Sequence, residues 1–215
     1  MRQDLKLGEK LFCLAVNPNK GGLLMSASTS IGITLAGAVF VELFNKELLT
    51  IENGLVRLKN PTPQNDEIYE FFLKHIRHHE KGRKLRSWFS WFYARGRKVR
   101  GVFIRSLTRK NILRVEEKRF LFIPYQKVFL MDRSLVESIR LELEDFLLGK
   151  TEPNDAVVVL SLLVEKTGLL SRVFPERAQR KIAAKNLKKL PETAISKAVQ
   201  EAIEMMRAAV FVATS

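Results

Sequence analysis

The sequence predicts a mainly α fold that carries a β-hairpin. Three features lead there. Apolar residues recur at helical spacing through most of the chain. Segment 31–45 is apolar on nearly all sides, which suits a helix at the centre of a domain. Residues 114–131 alternate instead, as paired strands do. A length of 215 residues with 46% hydrophobic content suits one domain, 1–215, with a sizeable core.

From the N-terminus, apolar residues at 5, 7, 11, 12, 14, 15 and 16 predict a first helix over 5–16. Segment 2–9 is polar and charged and predicts no signal peptide. The single cysteine, Cys13, cannot staple a fold and is expected as a small buried residue. Asn17-Pro18-Asn19-Lys20-Gly21-Gly22 is a strong turn signal. Residues 21–41 carry no charge, about a membrane-spanning length, but five Ser/Thr and three Gly fall between 21 and 34. That composition predicts a turn, a polar loop and then the buried helix.

Asn53-Gly54, flanked by short apolar runs, predicts a tight hairpin over 48–58. The loop 60–66 ends in Asp66, a helix cap, and a helix over 67–79 follows. His75, His78 and His79 lie close together on it. No cysteine or carboxylate cluster completes a metal site, and no cofactor is expected. Gly82 breaks a basic linker, and a helix then carries Trp88, Trp91 and Phe92 as expected core aromatics. The next helix, 97–110, puts Val99, Phe103 and Leu107 on its buried stripe and Lys98, Arg105 and Arg109 on its far side. Arg97 and Arg100 fall together at the edge of that stripe. An arginine there needs a bidentate anion, either a carboxylate of the protein or a phosphate of a ligand.

Two strands are expected around Pro124-Tyr125-Gln126-Lys127, with Phe120, Phe122, Tyr125 and Phe129 as an aromatic surface for the protein's own core or another subunit. Helices over 134–148 and 156–167 follow, closed by Gly149 and Gly168. A basic amphipathic segment, 171–190, and a last helix, 192–212, complete the chain.

Charge is concentrated. Residues 74–119 hold 16 Lys/Arg against three acids, an excess of 13 out of the chain's +14. Such a field seeks polyanions: a membrane surface, nucleic acid or an acidic partner. Lys81, Arg83, Lys84, Arg86, Arg95 and Lys98 are the expected membrane-facing basic residues. No Gly-rich phosphate loop, nucleophile elbow or zinc spacing is present, which favours a binding protein over an enzyme.

The order of motifs resembles the Golgi phosphoprotein 3-like family. The resemblance runs from 5–16 and the turn to Gly22, through Leu35-Ala36-Gly37-Ala38-Val39-Phe40-Val41-Glu42-Leu43 and Asn60-Pro61-Thr62-Pro63. It continues in Leu85-Arg86-Ser87-Trp88-Phe89, Asn111-Ile112-Leu113, the aromatic hairpin, Glu152-Pro153-Asn154-Asp155 and Gly168-Leu169-Leu170-Ser171-Arg172-Val173-Phe174-Pro175. It implies a central hydrophobic helix bundle ringed by amphipathic helices. A protruding β-hairpin would make oligomer contacts. It also implies a non-catalytic, cytoplasmic protein, peripheral on a membrane, that binds phosphatidylinositol 4-phosphate. The family's headgroup pocket uses a Trp, an Arg, and two Arg three apart on the basic helix. The Arg pair matches Arg97 and Arg100. The other Arg falls at Ala36 and the Trp at or near Ala27, a pattern closer to bacterial members. A looser site for anionic lipid headgroups is therefore expected. The alternative is a winged-helix nucleic-acid binder with 97–110 as the recognition helix and the hairpin as its wing. A small-molecule site would require a deep pocket holding Arg97 and Arg100.

Overall fold

A helix with no polar side has to be enclosed, and the architecture follows from that requirement. The computed structural model describes residues 4–79, 81–152, 154–189 and Glu204, without the side chains of Phe120, Ile123 and Pro124. In chain order it forms α1 (Leu7–Ala15), α2 (Met25–Ser28), α3 (Ile31–Asn45), β1 (Leu49–Glu52), β2 (Leu55–Leu58), α4 (Glu67–Arg77), α5 (Leu85–Tyr93) and α6 (Gly96–Arg109). Then come β3 (Leu113–Phe120), β4 (Ile123–Leu130), α7 (Arg133–Leu147), α8 (Asp155–Lys166), α9 (Leu170–Val173) and α10 (Arg177–Lys188). The fold is mainly α with two antiparallel hairpins, as the sequence predicts.

Of the 15 residues of α3, all but Glu42 and Asn45 are buried. Helices α1, α4, α5, α6 and α8 pack around it. Phe40 on α3 meets Phe89 at 5.3 Å and Phe92 at 5.9 Å, while Phe72 of α4 stacks on Phe92 at 4.3 Å. Such pairs contribute about 0.5–1.5 kcal/mol each beyond their buried area. Helix α5 buries Leu85, Trp88, Phe89 and Phe92, a face at spacings of three and four. Trp91 lies one position off that face, so it is half-buried rather than core.

Caps set several boundaries. Asp66 Oδ1 accepts the Ile68 and Tyr69 N–H groups at 3.1 and 3.0 Å and starts α4. Asn154 Oδ1 accepts from Val157 N at 2.9 Å and starts α8. At the N-terminus of α1 lie two acids that the sequence left unnoticed, the fully buried Glu9 and the half-buried Glu42 of α3. Glu9 accepts from Lys6 N at 3.0 Å, Ser106 Oγ at 2.7 Å and Lys110 Nζ at 2.6 Å. Glu42 Oε1 accepts from Leu7 N at 2.8 Å, and its Oε2 is buried with no partner among the described residues. Burial, opposed by the Leu7 N–H and Lys6, pushes the Glu42 carboxyl up to about 7.

In the first hairpin Asn53 and Gly54 take the positive φ values, 53° and 73°, that their residue types favour. The second hairpin departs from expectation. Its register runs from Leu113↔Leu130 to Phe120↔Ile123, so the turn is Leu121-Phe122 at φ 45° and 67°, and Pro124-Tyr125 lies in β4. Both strands of a two-stranded ribbon are edges, which is why proline is tolerated there. The basic segment 171–190 is also not continuous. It divides at Phe174-Pro175 into α9 and α10. Of the expected helix 192–212 only Glu204 lies within the described residues. Among the described residues no helix is long and apolar enough to cross a membrane.

Candidate functional site

Helix α6 begins against the beginning of α3. A Cβ on Gly32 would lie 3.1 Å from Gly96 Cα, so the two backbones meet at a distance that glycine permits. This crossing forms the floor of an open cleft of about 500 Å³. Thr29 and Gly32 line one side of it, and 93–98 together with Arg100 line the other. The cations are Arg95, Arg97, Lys98 and Arg100, and among the described residues no acidic side chain lines the cleft.

The backbone adds to this charge. The N-cap position, Arg95, supplies no side-chain acceptor to the first turn of α6. Lys98 N and Val99 N bond to Arg95 O, while the N–H groups of Gly96 and Arg97 have no acceptor among the described residues. Unsatisfied N–H groups and the positive end of the helix dipole both favour an anion.

The side chains are only partly occupied. Arg100 donates to Ser28 O at 3.4 Å, and Arg97 makes no ion pair or hydrogen bond among the described residues. Among the described residues neither meets a carboxylate. Burial, and after it the like charge of Arg97, pushes the Arg100 guanidinium below its ordinary value. Arg95 is held differently. It stacks on Trp91, 3.7 Å from the ring centroid, and donates to Trp91 O at 3.3 Å. His75 backs the same indole at 4.5 Å, and its Nδ1 lies 2.6 Å from Phe71 O.

The other basic residues divide between two places. Lys81 and Arg83 join His78, His79 and Gly82 around a second cleft of about 360 Å³ at the opposite end of α5. Lys84 and Arg86 are exposed at the start of α5 and line neither cleft. By contrast Arg105 and Arg109, on the far side of α6, both pair with Glu67 of α4. A third cleft, about 420 Å³, is lined by Lys6, Lys10, Glu42, Asp66 and Tyr69. It is largely self-neutralised, through Lys6–Asp66 at 2.6 Å and Lys10–Glu142 at 3.0 Å.

Ala27 and Ala36 are fully buried and line none of these clefts. On the second hairpin Leu121 and Phe122 stand at the exposed tip and Tyr125 is exposed. Phe129 is occupied at the base instead. A Cβ on Gly21 would lie 2.5 Å from its ring, and Gly22 N bonds to Val128 O at 2.7 Å. Among the described residues no group of three or more His, Cys, Asp or Glu is placed to hold a metal ion. Sequence reasoning found the arginines but not Thr29, Gly32 or Tyr93. A glycine inside an apolar helix and another just before a basic helix were the available signals for the crossing.

The sequence has a counterpart among known families. No curated protein matches the chain. The family model described as Golgi phosphoprotein 3 (GPP34) matches residues 7–206, from the first residue of α1 to beyond α10. With nearly the whole chain covered, the protein belongs to the Golgi phosphoprotein 3 (GPP34) family.

Proposed function

We propose that this protein is a non-catalytic, peripheral membrane protein of the cytoplasmic face that binds the phosphate of an anionic lipid headgroup in the cleft at the start of α6. Phosphatidylinositol 4-phosphate or a lipid like it is the intended ligand. One observation carries the proposal. Four cations and two N–H groups of a helix N-terminus that lack an acceptor among the described residues face one cleft, and no acid among those residues lines it. Arg97 and Arg100 are suited to hold a phosphate between them. Near an anionic leaflet each Lys or Arg contributes ~1 kcal/mol. The four cleft cations then supply about 4 kcal/mol, nearly a thousandfold in partitioning, which fades with salt. The hairpin, with Phe122 96% exposed at its tip, is the proposed element of self-association.

Nucleic-acid binding is the weaker reading. A recognition helix needs a free outer face. On α6 the inner face is buried by Val99, Val102, Phe103 and Leu107, and Arg105 and Arg109 are already paired with Glu67.

Co-sedimentation with vesicles tests the proposal. Neutral, phosphatidylserine-containing and phosphatidylinositol 4-phosphate-containing vesicles are compared at low and moderate salt. Wild type is expected to bind the anionic vesicles, with Arg97→Ala/Arg100→Ala at least tenfold weaker. Equal binding of the wild type and the double variant would refute the cleft as the headgroup site.

A further inference from the structure

The cleft is flanked by apolar side chains that the chain leaves in water. Met25, on α2, is 91% exposed. Tyr93, at the end of α5, is 46% exposed and lines the cleft. Helix α2 belongs to the cleft wall: Ser28 O accepts from Arg100 and the next residue, Thr29, lines the cavity. Apart from Met25, the exposed residues of this stretch are Ser26, Ser28 and Thr29. No packing among the described residues explains a nearly fully exposed methionine beside a basic cleft.

Its carrier is fastened. Leu24 N bonds to Ala15 O at 2.8 Å and Ala27 N to Leu24 O at 3.0 Å. Ala27 beneath it is fully buried. On the other side a Cβ on Gly168 would lie 3.0 Å from Ser26 O, so the backbone of α2 is seated against the turn after α8. Met25 therefore projects from a held turn. Tyr93 stands in the last turn of α5, at the border of the buried face formed by Leu85, Trp88, Phe89 and Phe92.

We propose that Met25 and Tyr93 are bilayer anchors, so that the cleft takes its phosphate at a lipid surface and not from solution. This rests on the headgroup reading above and names how that site is presented. A surface of cations with an apolar tip beside it matches an anionic leaflet in both respects. The cations meet phosphates at headgroup depth while the thioether enters the acyl boundary. Tyrosine suits the interface because its ring is apolar and its hydroxyl stays wet. Burying a methionine fully accounts for between tenfold and about a hundredfold in partitioning, and shallow insertion for about tenfold.

The test uses neutral substitutions, so that charge is unchanged. Met25→Ser and Met25→Trp are compared with wild type in two assays. One is partitioning onto vesicles containing phosphatidylinositol 4-phosphate. The other is titration with soluble inositol 1,4-bisphosphate, followed by NMR. Met25→Ser is expected to weaken vesicle binding about tenfold and Met25→Trp to strengthen it, with the soluble affinity the same in all three. The gain in Met25→Trp is a result that a merely structural role would not produce. A dye on Met25→Cys reports insertion directly, because Cys13 is fully buried. Its emission should shift to the blue on vesicles and be quenched by nitroxide-labelled lipid. Unchanged vesicle binding in both variants would overturn the proposal. So would a parallel loss of the soluble ligand, which would make Met25 a shaper of the cleft. Wild type that binds the soluble bisphosphate but not vesicles would also overturn it. Failure of the headgroup reading is separate: there, Arg97→Ala/Arg100→Ala leaves both assays unchanged.

Discussion

Glu42→Gln is expected to stabilise the protein at pH 8 much more than at pH 5. The Glu42 carboxyl is pushed from 4.5 up to about 7, with burial as the main cause. An acid raised in this way binds its proton more tightly in the folded state than in the unfolded one. Its contribution is most favourable below pH 4.5, declines as pH rises toward 7, and is flat above that. The whole decline amounts to about 3 kcal/mol, of which about 2 kcal/mol falls between pH 5 and pH 8. Glutamine keeps an oxygen to accept the Leu7 N–H, whose bond to Oε1 is 2.8 Å, and carries no charge at either pH. Urea unfolding of both proteins at the two pH values measures the difference. Subtracting wild type from variant removes other titrations, including His79, which is pushed down by burial and by neighbouring cations and so acts in the opposite direction. The variant's advantage should grow by about 2 kcal/mol from pH 5 to pH 8. An offset independent of pH would refute the reasoning, because Glu42 would then be equally protonated in both states.

Two further perturbations test the frame that holds the cleft. Gly32→Val forces a branched side chain against Gly96 Cα, where even a Cβ would sit at 3.1 Å. It should cost about 1–3 kcal/mol by urea unfolding and weaken headgroup binding with it; an unchanged stability would mean that the crossing yields freely. Leu121→Asn/Phe122→Gly places residues suited to positive φ at the two turn positions, now at 45° and 67°. The change should stabilise the hairpin by about 1–2 kcal/mol, read as slower amide exchange in β3 and β4. If the exposed Phe122 tip drives self-association, the same variant should sediment as a smaller species, whereas an unchanged distribution would place that contact elsewhere.

Much of this molecule was legible one segment at a time. The periodicity of 31–45 placed α3 at its observed bounds, Asn53-Gly54 marked the first hairpin, and Asp66 marked the start of α4. These are local decisions, made by backbone preference and by which face is apolar. Where local signals competed, the sequence misled. Pro124 looked like a turn, but the register of an eight-residue ribbon set the turn before it, on Leu121-Phe122. Trp91 looked like core because aromatic residues usually are, but it lies one position off the buried face of α5 and supports Arg95.

The sequence by itself determined that the charge is concentrated in 74–119 and that Arg97 and Arg100 share a helix edge, since both follow from counting and from helical pitch. It left open what those arginines face. Only the tertiary structure decided that, by bringing Thr29 and Gly32 to the start of α6 and by giving Glu67 to Arg105 and Arg109 instead. It also brought Glu42 to the N-terminus of α1, where it accepts from Leu7 N, 35 residues away in the chain. Such pairings depend on which distant surfaces become neighbours when the apolar α3 is enclosed, and the periodicity of any one segment carries no record of them.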